Sequence, residues 1–163
     1  MTVAGKTLID SLFVEMFQTE QSAQEHCRRE ASRLAGGPRD AMDAVSRHAE
    51  AFLARLEGLA ESRGMSRKKV GIGLGHLFSQ VREHFADRLI SAEFSYRGTL
   101  MGMQHGDDLF RLTFEAAKAH GDSALEAFAG EWLATREPLL AEARAQLAWF
   151  AHHPQEALVR AHR

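Results

Sequence analysis

The sequence predicts an all-α fold, an antiparallel up-down four-helix bundle with a short extra helix and a proline-kinked last helix, and three observations carry that reading. Apolar residues recur at steps of three and four over long stretches, which is the period of one helix face. Ala, Leu, Glu, Arg and Gln dominate those stretches, and no five-residue run alternates apolar and polar with the Val, Ile and Thr content of a strand. The breaks are few and widely spaced: Gly36-Gly37-Pro38, Ser62-Arg63-Gly64, His120-Gly121-Asp122 and a softer one at His105-Gly106-Asp107.

Each element follows from its stripe. Helix one, about 7–34, repeats Ile9, Phe13, Met16, Ala23, Cys27 and Leu34 on one face, and helix two, about 39–62, repeats Met42, Val45, Ala49, Phe52, Leu56 and Leu59. Helix three runs from Leu74 or earlier through Phe78, Val81, Phe85, Leu89, Ala92, Tyr96, Leu100 and Met103. The short extra helix covers 107–119, with Phe110, Phe114 and Ala117 in register. The last helix starts at Ser123, which has capping-box spacing to Glu126, and continues through Leu125, Phe128, Trp132, then Leu139 or Leu140, Ala143, Leu147 and Phe150. Pro138 inside that pattern removes a backbone donor, so the reading places a kink or split near Arg136.

Composition bounds the function. At 163 residues the chain suits one domain, 1–163, with 155–163 a short helix or frayed tail. A net charge of −2 argues against an electrostatic nucleic-acid binder, and one cysteine excludes an internal disulfide framework or a cysteine-rich zinc site. No signal-peptide pattern opens the chain, and no stretch reaches the ~20 apolar residues of a membrane span. The expectation is a soluble, cytoplasmic protein with neither nucleic acid nor membrane as partner.

Candidate chemistry lies where polar residues interrupt apolar stripes. Glu20 stands four residues after Met16, Glu30 three after Cys27, His48 three after Val45, Glu93 four after Leu89 and Glu131 three after Phe128. A carboxylate or imidazole facing a bundle interior must be paired, hydrogen-bonded or bound to metal. With Leu12-Phe13-Val14-Glu15 through Thr19-Glu20-Gln21, Ala51 through Glu57, and Ala92-Glu93 before Tyr96-Arg97-Gly98-Thr99-Leu100, the layout resembles the ferritin-like superfamily, in particular its short, stress-associated bacterial members. That resemblance implies Glu20, His48, Glu93 and Glu131 as metal ligands, with iron or manganese as cofactor and binding or oxidation as activity. The family's Glu-x-x-His pairs are absent from this chain.

Glycine spacing suggests a different role. Gly98, Gly102 and Gly106 recur every four residues, as do Gly71 and Gly75, and each glycine weakens a helix by roughly 1 kcal/mol relative to alanine. On a helix they make a smooth stripe for close approach of another backbone, within the chain or between subunits, in preference to a flexible hinge, and the expected partner is a second copy of the chain. The first functional expectation is therefore a non-catalytic helical-bundle protein that needs no cofactor and acts through self-association or partner binding. The metal protein is the alternative, and an apolar pocket lined by Phe85, Tyr96 and Trp132 is a third.

Overall fold

The computed structural model describes residues 3–65 and 91–159, and those residues are helical with short connections. Four long helices, α1 (Val3–Ala31), α2 (Gly36–Ser62), α3 (Ala92–His120) and α4 (Ser123–Ala145), are followed by two short ones, α5 (Leu147–His152) and α6 (Pro154–Ala157). No strand occurs among the described residues.

Several boundaries differ from the sequence expectation, each for a local reason. The Gly36-Gly37-Pro38 break is the first turn of α2: Ala35 is extended, Gly36 takes a positive φ of 58° and buried Pro38 has no orphan N–H. Segment 107–119 is not a separate helix. It continues α3 without a break at Gly106, because the missing side chain there admits Thr19 Cγ2 and the Trp132 ring. Helix α4 is capped by Asp122, whose carboxylate accepts from the Leu125 N–H, rather than by Ser123. Pro138 lies inside α4, and the break comes at Gln146 instead of near Arg136. The carbonyl that Pro138 deprives of its helical donor is on Ala134; both residues are exposed, which leaves that carbonyl on the solvent side of the helix. The expected part of helix three before Ser91, with Gly71, Gly75 and Phe85, lies outside the described residues.

The long helices meet in a ring, α1–α2–α4–α3. Between α2 and α4, His48 meets Thr135, Arg55 meets Glu131 and Arg63 meets Asp122, so numbers fall on one helix as they rise on the other. Between α3 and α4 the same order joins Tyr96 to Ala143 and Arg111 to Glu137. Between α1 and α3 it joins Gly5 to His120, Glu15 to His105 and Glu30 to Ser95. Met65, just after α2, packs against the cluster that holds Ile9 and Phe13, whereas Ala92, opening α3, belongs to the cluster that holds Tyr96 and Phe150; these lie toward opposite ends of the helices.

The apolar interior has two parts. One cluster gathers Ile9, Phe13, Met16, Phe52, Leu56, Phe110, Leu125, Phe128 and Trp132; the other gathers Cys27, Met42, Val45, Tyr96, Leu100, Met103, Leu140, Ala143 and Phe150. On every long helix the buried residues between the two sets are polar or small: Thr19 and Glu20 on α1, Ser46 and Ala49 on α2, Gly106 and Asp107 on α3 and Arg136 on α4. Tyr96 and Trp132 thus fall in different clusters, which removes the pocket expected between them.

Candidate functional site

Among the described residues, the two most deeply buried charges lie in the polar layer between the two clusters. Glu20 projects from α1 and Arg136 from α4; they are 0% and 2% exposed and their side chains meet at 2.6 Å. Arg136 lies four residues after Trp132 and four before Leu140, so helical period aims it inward, and its guanidinium lies 4.9 Å from the centre of the Trp132 ring. Its Nη1 also reaches toward the Val45 carbonyl at 3.5 Å. Two charges so placed have lost their hydration, and what compensates them is chiefly one another. Burial pushes the Glu20 carboxyl above its ordinary range, with Arg136 pulling in the opposite direction and the nearby Trp132 N–H adding to that pull.

His48 forms the edge of the layer toward solvent. Its ring stacks on Phe52 at 4.5 Å and meets Trp132 edge-on, while Nε2 lies 2.8 Å from the Thr135 hydroxyl. That hydroxyl donates to the Glu131 carbonyl, so it accepts from a protonated Nε2, and Nδ1 is left as an acceptor. Burial, then the charges of Arg136 and Arg55, lower the His48 pKa to about 3, with Glu131 opposing them, so the ring is neutral at ordinary pH.

The four residues expected as metal ligands are divided by the structure. Glu20 and His48 share the layer. Glu131 does not: it is exposed and forms two 2.6 Å hydrogen bonds with Arg55, which hold its carboxyl below the usual range. Trp132 takes the inward direction, and the adjacent residue is rotated by about 100° away from it. Glu93 lies in the first turn of α3, bonded to Arg97 at 2.8 Å and to Ser91, at the Tyr96 end rather than mid-bundle. Glu30 accepts from the Ser95 hydroxyl at 2.7 Å and faces Arg33. Among the described residues no group of three or more His, Cys, Asp or Glu side chains is set to hold a metal ion.

Two members of the layer were missed from sequence, and both carried a readable signal. Arg136 sits on the stripe 128–132–136–140, and Asp107 sits between Met103 and Phe110 on the stripe of α3. Asp107 is buried and bonds Arg111 at 2.9 Å, and Arg111 extends to Glu137 on α4. The lone thiol, Cys27, lies beyond the layer; burial pushes its pKa up to about 12.

No family model, no curated protein and no solved structure matches this chain.

Proposed function

We propose that this chain is a non-catalytic helical-bundle protein that acts through association with a second copy of itself. The observation that carries the non-catalytic part is the Glu20–Arg136 pair: the deepest carboxylate is neutralised by an arginine from the facing helix, where a metal protein would need a free ligand. The same holds for Glu93 with Arg97 and Glu131 with Arg55. Association is supported by the outward stripe of α3, where Met101 is 64% and Leu112 51% exposed, and where a Cβ on Gly98 would meet nothing within 4 Å. Gly106 belongs to the internal packing instead, so the contact stripe covers Gly98 and Gly102 but not Gly106.

Light scattering of the full chain over a range of concentrations tests this. The expected mass exceeds 18.1 kDa for the wild type and falls to that value in Met101→Glu/Leu112→Glu. An 18.1 kDa species at every wild-type concentration overturns the association reading.

One specific observation favours the second reading, a divergent ferritin-like iron or manganese protein. The reciprocal contacts support antiparallel neighbours, with α1 and α4 diagonal to each other and sharing one direction, and α2 and α3 sharing the other. That is the order of a bundle with a single crossover, the connectivity of ferritin-like folds, rather than a simple up-down bundle. Metal analysis of untagged protein after iron or manganese loading separates the readings. Less than about a tenth of an equivalent bound disposes of the metal protein, since that occupancy is far below what a structural or catalytic site demands.

A further inference from the structure

The polar layer leaves a set of buried atoms unmatched. Glu20 Oε1, Trp132 Nε1, Arg136 Nε and His48 Nδ1 are enclosed side-chain atoms that close no hydrogen bond of good geometry, and so are Thr19 Oγ1 beside Glu20 and the acceptor Asp107 Oδ1 on α3. Buried polar atoms in folded proteins are nearly always satisfied, and each one left bare costs about 1–3 kcal/mol. Several in one layer therefore indicate a common guest.

The chemistry of the set selects that guest. Glu20 Oε1 and His48 Nδ1 are acceptors; the Trp132 and Arg136 N–H groups are donors; the Thr19 hydroxyl is both. A metal cation would satisfy the acceptors and repel Arg136. An anion would satisfy the donors and repel Glu20. A small neutral molecule that donates and accepts at once fits both halves, and water is the one present in every preparation. The elements converge on one region: Glu20 bonds Arg136, the guanidinium of Arg136 flanks the Trp132 ring, and the His48 ring meets that same indole edge-on. His48, bonded to the exposed Thr135, links the region to the surface.

We propose that the mid-bundle layer is an internal hydration site, in which water bridges the Glu20 carboxylate, the Trp132 N–H and the Arg136 guanidinium and exchanges with solvent on the His48 side. The bound water completes the hydrogen bonding of a core ion pair, and it lets the two apolar clusters meet across a charged layer.

A high-resolution crystal structure of the full chain, with oxygen-17 relaxation dispersion counting long-lived waters in solution, tests the site. The expected result is an ordered water within hydrogen-bond distance of Glu20 Oε1 and Trp132 Nε1. Fewer long-lived waters should remain in Trp132→Phe and in Glu20→Leu/Arg136→Met than in the wild type. A direct Trp132–Glu20 hydrogen bond with no water beside it overturns the proposal, as does a metal or anion in that place. An unchanged count of long-lived waters in Trp132→Phe overturns it too. The crystallographic arm uses the wild type alone, so it stands even if a variant fails to fold.

Discussion

Removing one partner of the Glu20–Arg136 pair strands the other in the core, whereas removing both restores an apolar interior, and the two perturbations should differ in sign or nearly so. Arg136→Met keeps most of the side-chain volume against Trp132 but leaves Glu20 with no cation at 2.6 Å. With both groups at most 2% exposed, solvent cannot compensate, and the loss is about 3–5 kcal/mol, the range for breaking a buried ion pair. At about 2–4 °C per kcal/mol for a chain of this size, the melting temperature should fall by roughly 6–20 °C. The double variant Glu20→Leu/Arg136→Met should lie within about 1 kcal/mol of the wild type or above it, because neither desolvated charge remains. Urea unfolding of the four proteins, read as a double-mutant cycle, gives the coupling directly. A loss below about 1 kcal/mol in Arg136→Met, or a double variant whose loss equals the sum of the singles, would refute the account of a tightly coupled core pair.

The sign of the pH dependence follows from the same geometry. In Arg136→Met the Glu20 carboxyl loses the charge that opposed burial, so its folded pKa rises further and the fold binds a proton the unfolded chain releases; stability, measured by urea midpoint, should fall as pH rises through that range. His48 works in the other direction: with a folded pKa of about 3 against an ordinary 6.5, its contribution is complete above pH 6.5 and is lost as pH falls toward 3, and His48→Asn should flatten that slope. Cys27 should resist iodoacetamide in the folded protein and react once urea unfolds it; fast labelling without denaturant would contradict its burial. Asp122→Ala removes both the α4 cap and the 2.7 Å contact with Arg63, and a loss of about 1–2 kcal/mol in chemical denaturation is expected. At concentrations low enough to keep the chain a monomer, Gly98→Ala should stabilise by about 0.8–1.0 kcal/mol, having open space around its new Cβ within the chain, while Gly106→Ala gains less, since its Cβ would lie 3.1 Å from Thr19 Cγ2.

Helix content and the inward faces were legible in the residues alone. The stripes Ile9–Phe13–Met16, Met42–Val45–Ala49–Phe52–Leu56 and Leu125–Phe128–Trp132 bury as their spacing requires, because a rigid period of 3.6 residues carries apolar side chains to one side whatever the neighbouring helices do. Glu20 was legible for the same reason. What spacing does not contain is the partner. Whether a buried carboxylate meets a metal, a histidine or an arginine depends on which residue of a distant helix arrives at the same height, and Arg136 is 116 positions away. Glu131 shows the converse. It follows an inward apolar residue at a helical interval, but bulky Trp132 beside it fills the interior, so the carboxylate swings to Arg55 and solvent. The continuity of α3 through Gly106 is likewise a tertiary outcome: local propensity disfavours helix there by roughly 1 kcal/mol, and the close approach of Thr19 and Trp132 that a missing side chain permits outweighs it.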